Sequence, residues 1–378
     1  MTTASPRRRH LRPRSSAAGP LDDDDLLCEI LLRLPPQPCS LPRASLVCKR
    51  WRNLASDPGF SRRFRIHHRR SPPLLGFFDN DLGCSFLPTL EAPNRVSPGR
   101  FSLQSGDRFP FRCLGCRHGL VLVFDRTDLS FLVWEPLTGE QHRLACRPGF
   151  DLAEFDPERG RINGAVRRAG RGVQHFQVVL VVAGDDDTKQ RFHTVPAVLA
   201  GDSLYWILAG ISSSSVGFDF HAEWQILEFD LERQKLAVIQ TPAMAKVPRK
   251  DRFTVVRGDG GGLGLLILKD FTAQLWKRKM DSDGVASWEL EKTIDLNKLL
   301  SLNLDKMSCV RMLRFAEDNN LLVLHTYFGL FTVQLQSLQF KKLSGKKKLS
   351  QCHPFESVYT VETGIGGGHG EANLLQNA

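Results

Sequence analysis

No run of about 18 consecutive apolar residues occurs in this chain, so a membrane-spanning helix is not expected. The opening segment, MTTASPRRRHLRPRSSAAGP, has charge but no apolar stretch, so it does not read as a secretory signal. Residues 1–20 read as a disordered basic leader. Nuclear import and an organellar transit peptide are the other uses of such a composition. There are nine cysteines, an odd number without framework spacing. Reduced thiols in the cytoplasm, the nucleus or both are therefore expected.

Catalytic signatures are missing too. There is no G-x-S-x-G elbow and no H-E-x-x-H helix. Cys113-x-x-Cys116 with His118 nearby looks like half a zinc site, and Cys146 is the only other nearby candidate. A structural site needs four ligands, so the pair reads as small residues entering a strand. The glycine run Gly258–Gly264 precedes a strand rather than a helix, so no helix N-terminus would meet a phosphate. Gly345-Lys346 lacks the remaining residues of a phosphate loop. Asp185-Asp186-Asp187 lacks the alternating spacing of a calcium loop. No metal, no cofactor and no enzymatic activity are expected.

The net charge of +10 is concentrated at one end. Residues 1–70 hold 15 Lys and Arg against 6 Asp and Glu, a net of +9, and the remaining chain is nearly neutral at +1. A basic, nucleic-acid-binding surface is thus not expected on the larger part. Arg62, Arg63, Arg65, Arg69 and Arg70 admit two readings, nucleic-acid contact or a solvated helix end and linker. The second is favoured, because no aromatic residues interleave for base stacking.

Residues 21–66 read as a module of three short helices with more apolar surface than it can hide. Leu27, Ile30, Leu31 and Leu34 fall at i, i+3, i+4 and i+7, with Asp25 placed to cap and Pro35-Pro36 to stop the helix. A second helix is predicted from about Ser40, carrying Leu41, Ala44, Cys48 and Trp51 on one side and Leu46, Val47 and Leu54 beside them. Asp57-Pro58 caps a third, with Phe60 and Phe64 one turn apart. The module's wide apolar face calls for a partner.

This segment resembles the F-box of plant F-box proteins. The matching blocks are Leu26-Leu27-x-Glu29-Ile30-Leu31-x-Arg33-Leu34-Pro35, Leu41-x-Arg43-Ala44-Ser45-x-Val47-Cys48-Lys49-x-Trp51-Arg52 and Asp57-Pro58-x-Phe60. The resemblance implies docking onto the SKP-type adaptor of a cullin–RING ubiquitin ligase. It implies adaptor contacts at Leu27, Ile30, Leu31, Leu34, Val47 and Trp51. The family's opening Leu-Pro would fall on positions 22 and 23, which hold Asp22 and Asp23. Either Leu21 substitutes as an anchor or that contact is weakened.

Residues 67–73 read as a linker. From Leu74 the texture becomes β, in short apolar runs such as Gly119–Phe124, Ser130–Trp134, Phe176–Val182, Ser203–Leu208, Gly262–Leu268 and Gly329–Leu335. Long amphipathic helices are absent from this region, and the best helical candidate lies around Thr293–Leu304, as a short loop insertion. A weak repeat aligns Trp134, Phe229, Trp276 and Val333, at intervals of 95, 47 and 57 residues. Such a period predicts an all-β propeller of about six blades over 74–360. Four segments also resemble the propeller-like domain that follows the F-box in a large plant family. They are Cys116-Arg117-His118-Gly119, Trp134-Glu135-Pro136-x-Thr138-Gly139, Gly201-Asp202-x-Leu204-Tyr205-Trp206 and Ile226-Leu227-x-Phe229-Asp230-Leu231. Residues 361–378 read as a disordered tail.

The resemblance therefore implies an α+β chain that is a non-catalytic substrate receptor of an SKP adaptor–cullin–F-box ligase. The alternative is a propeller outside the ubiquitin system that binds carbohydrate or nucleic acid. The target is not legible. It would be read by variable loops such as 145–172, 183–195 and 209–224, which contain Arg167, Arg168, Arg171, Phe218 and Phe220.

Overall fold

The computed structural model describes residues 23–103, 110–144, 162–169, 175–182, 191–192, 195–211, 222–242, 253–301, 310–343, 349 and 351–360. Leu21, the leader, the tail and most of the three variable loops lie outside the described residues.

The head has four helices rather than three: α1 (Asp24–Leu32), α2 (Ser40–Ser45), α3 (Lys49–Ser56) and α4 (Pro58–His68). The Asp23 carboxylate caps α1, accepting from the amides of Asp25 and Leu26, so the cap falls two residues before the expected Asp25. The predicted second helix is split. Leu46 ends α2, and Cys48 has extended backbone at φ −160° before α3 begins. Asp57 caps α4 as expected, accepting from the Phe60 amide at 2.7 Å, with Pro58 in the first turn. Leu27, Leu31, Leu41, Ala55, Phe60 and Phe64 form the core of the head.

The β region begins with β1 (Leu74–Asp79) and β2 (Ser85–Pro88). Next comes a four-stranded meander of β3 (Phe111–Arg117), β4 (Leu120–Asp125), β5 (Ser130–Glu135) and β6 (Glu140–Leu144). A two-stranded sheet follows, β7 (Ile162–Arg168) with β8 (Phe176–Val182). The next sheet holds β9 (Arg191–Phe192), β10 (Val198–Ala200), β11 (Ser203–Ile211), β12 (Ala222–Asp230) and β13 (Lys235–Gln240). Then come β14 (Phe253–Arg257), β15 (Leu263–Lys269), β16 (Thr272–Met280) and β17 (Ala286–Asp295), followed by α5 (Leu296–Leu300). The Asp295 carboxylate caps α5, so the predicted helix around Thr293–Leu304 is a single short turn following a strand. A last meander holds β18 (Arg311–Ala316), β19 (Leu321–Thr326), β20 (Gly329–Gln334) and β21 (Phe340–Leu343).

The final strand, β22 (Cys352–Glu356), returns to pair antiparallel with β1 on the edge opposite β2. One sheet is therefore stitched from both ends of the β region, which closes the ring and removes two free edges. β3 lies beside β7 and β22, β14 lies between β10 and β18, and β18 is also beside β22. Ala165 and Val181 pack with Ala197, Leu204 and Trp206 to complete the circuit. The period predicts about six blades; the structure has five sheets of three or more strands. Among the described residues the count is therefore five blades rather than about six, and β7–β8 forms a separate sheet of two strands.

The four aligned apolar anchors share one structural position, the third strand of their sheets: Trp134 on β5, Phe229 on β12, Trp276 on β16 and Val333 on β20. The head is fastened to the ring. Val358, just beyond β22, is buried in the core of the head. The Ser357 amide donates to the Pro73 carbonyl at 3.2 Å, and the Cys39 amide donates to Asn94 Oδ1 at 3.1 Å.

Candidate functional site

Two surfaces carry chemistry: the outer face of the head and the seam between head and ring. On the head, the structure separates residues that the sequence pattern grouped. Leu27 and Leu31 are 0% exposed and belong to its core, so they cannot also face an adaptor. Burial of an aliphatic side chain on this scale is worth about 1.5–3 kcal/mol, and exposing it to reach a partner would forfeit that. Leu34 and Trp51 are half-buried and pack against the same core. Ile30 at 39% and Val47 at 62% remain exposed. Two exposed leucines stand beside them in sequence, Leu26 at 49% and Leu46 at 78%. Leu26 belongs to the first family block and Leu46 falls at an unmatched position of the second; Leu46 faces outward where α2 ends, and Leu26 does so on the first turn of α1.

At the seam, α4 lies over one face of the ring. A cavity of about 670 Å³ separates them. Its ring lining comes from the turns after β3 (His118), β5 (Glu135, Leu137) and β18 (Asp318), the ends of β7 (Arg168) and β14 (Arg257), and the residues from Glu356 to Val358. From the head come Arg62, Arg65, Ile66, Arg69 and Arg70. His118 and Gly119 both have positive φ, +53° and +76°. A side chain at Gly119 would meet Ser357 Oγ at 2.8 Å, which accounts for the glycine at this turn.

Under this cavity Arg117 and Glu317 form a buried ion pair. Arg117 also donates to the carbonyls of Val166 at 3.3 Å and Ala197 at 2.9 Å. Glu317 accepts from the Leu199 amide at 3.0 Å, and Arg257 donates to the Glu317 carbonyl at 2.7 Å. Burial works against both charges, but their mutual attraction outweighs it: Arg117 is raised and Glu317 lowered from their ordinary ranges. Nearby, burial pushes Asp318 well up and Glu356 up to about 7. His118 opens to the cavity space yet is surrounded by protein. Burial, and then the charge of Arg117, push it down to about 4.

Cys113 and Cys116 lie on β3 with their sulfurs 3.6 Å apart, and burial raises both thiols. Among the described residues no three His, Cys, Asp or Glu side chains converge as a metal cluster. The glycine run forms the β14–β15 turn, closed by the Gly258 amide on the Gly262 carbonyl at 2.9 Å. No helix among the described residues is long and apolar enough to cross a membrane.

The family model of the F-box domain matches residues 23–63, which hold the head. A second model, described as F-box protein AT5G49610-like, beta-propeller, matches residues 220–360. The chain belongs to the F-box proteins that carry a C-terminal propeller. No curated protein matches it. Among solved structures, the crystal structure of the WD40 domain of SCAP from fission yeast aligns at 11% identity and a TM-score of 0.30. That alignment covers 68% of this chain and 58% of the other, less than two thirds of its length. The matched F-box contains every adaptor-facing residue expected from the sequence except Leu21, and the matched propeller segment runs through the closing strand.

Proposed function

We propose that this F-box protein is the substrate-recognition subunit of an SKP adaptor–cullin–F-box ubiquitin ligase, in the cytoplasm or nucleus. The observation that carries this reading is the division of apolar residues in the head. Leu27, Leu31, Phe60 and Phe64 close its core, while Leu26, Ile30, Leu46 and Val47 stay outside. A surface of this kind is what an adaptor would cover, with Leu34 and Trp51 at its margin.

The target would be captured on the face of the propeller away from α4. Turns alternate between faces along each meander. The β3–β4 and β18–β19 turns line the seam, so the β4–β5, β15–β16 and β19–β20 turns lie on the other side. That face presents Tyr327 at 71% exposure. The chain supplies no catalytic group in this account. It holds target and ligase together, which raises their effective concentration.

Co-expression with an SKP-type adaptor tests the reading. A stoichiometric complex is expected on gel filtration, and Ile30→Asp with Val47→Asp should abolish it without changing the circular dichroism. Persistence of the complex in that folded variant would refute the docking assignment.

A further inference from the structure

The seam cavity holds more positive charge than its surroundings neutralise. α4 and the two residues that follow it present Arg62, Arg65, Arg69 and Arg70 to it, and the ring adds Arg168 and Arg257. On its other side α4 settles its charge locally, with Arg63 donating to Glu29 at 3.0 Å. Of the three carboxyl groups at the cavity, Asp318 is pushed well above its ordinary range by burial, and the other two are already engaged. Glu135 accepts from Arg168 at 2.6 Å. Glu356 accepts from the amides of Asp318 at 3.0 Å and Asn319 at 3.1 Å, and from Asn319 Nδ2 at 2.6 Å. Arg65 Nε is buried without a hydrogen-bond partner. An unmatched buried donor of this kind is costly unless something occupies the space before it.

We propose that this cavity binds a small anion carrying more than one phosphate group, which bridges the F-box and the propeller. Guanidinium forks suit phosphate oxygens in shape as well as charge. Arg62 and Arg69 are two helical turns apart, about 10 Å along the axis at 1.5 Å per residue, so a single phosphate would not span them. The volume of about 670 Å³ suits a compact small molecule. Cations at the end of α4 also favour the helix dipole, but that effect does not require them to converge on a cavity.

Isothermal titration and thermal melting of the full chain with sodium tripolyphosphate test this, with sodium sulfate at matched ionic strength as the control. Tripolyphosphate is expected to bind at one site with a micromolar Kd and to raise the melting temperature, whereas sulfate does neither. The exposed pair Arg62→Gln with Arg69→Gln should weaken binding about tenfold or more. Arg65→Gln alone should weaken it as well. Both variants should still co-elute with the adaptor, which keeps this test separate from that of the docking surface. Arg7→Gln, Arg8→Gln and Arg9→Gln in the leader should bind as the parent does.

An equal effect of sulfate would overturn the proposal, as would loss of binding from the leader variant rather than from α4. Binding of a doubly phosphorylated peptide without binding of tripolyphosphate would also overturn it, by giving the cavity to a protein ligand.

Discussion

Arg117 and Glu317 meet as a buried ion pair beneath the seam, with Arg117 Nη2 donating to Glu317 Oε2 at 2.8 Å. They lie 200 residues apart in sequence. Through their further hydrogen bonds they tie together the ends of β3, β7, β10, β14 and β18. Removing one partner strands the other charge in the interior. Arg117→Ala is therefore expected to destabilise the propeller by about 3–5 kcal/mol in urea unfolding. The double change Arg117→Met with Glu317→Leu should cost markedly less than the two single changes together.

The pH response should have two opposed parts. His118 titrates near 4 in the fold against an ordinary value of 6.5. The unfolded chain then binds more protons in that window, so this group's contribution is lost as pH falls from 6.5 towards 4. Glu356 titrates near 7 against an ordinary 4.5, so the fold binds more protons there, and its contribution is lost as pH rises from 4.5 towards 7. His118→Asn, which tolerates the left-handed turn, should flatten the acidic limb of a stability profile and leave the neutral limb. Glu356→Gln should do the reverse.

The helical head should respond to its cap and its core by different amounts. Asp57→Ala removes the acceptor for the Phe60 amide and should cost about 1 kcal/mol. Phe64→Ala empties a fully buried site packed against Phe60 and His68 and should cost about 3–5 kcal/mol. Thermal melts of the two variants would separate these costs.

Closure of the ring should be all-or-none. Ending the chain at residue 350 removes β22 and leaves an edge of β1 open. The expected result is a broadened, non-cooperative unfolding transition of the ring, in contrast to the sharper one expected of the full chain.

Much of this architecture was legible in the sequence, and the reasons it was not complete are physical. The middle strands β4, β5, β11, β15 and β20 are apolar runs bounded by turns, and they were readable as such. The inner strands were not, because they carry Arg117, Arg168, Arg257 and Arg314, charges whose partners lie largely on other sheets. β22, with the sequence CHPFE, was not singled out, because five residues with a central proline carry too little strand pattern. Its identity as a strand depends on β1, some 280 residues earlier. In the head, periodicity found an apolar face on α1 but not its division. Leu27 and Leu31 turn inward and Ile30 outward because α4 packs on one flank of that face. The arginines of α4 were visible, but they read as a solvated helix end, since nothing local shows that the propeller lies opposite.

The central claim is that exposed apolar residues of the head, distinct from its core, grip an SKP-type adaptor. The most direct measurement is calorimetric titration of the adaptor into the full chain and into the Ile30→Asp, Val47→Asp variant. The account predicts tight one-to-one binding by the parent and a loss of about a hundredfold or more in the variant, at unchanged melting temperature. Equal affinity of parent and variant, or no binding by the parent at micromolar concentration, would contradict it.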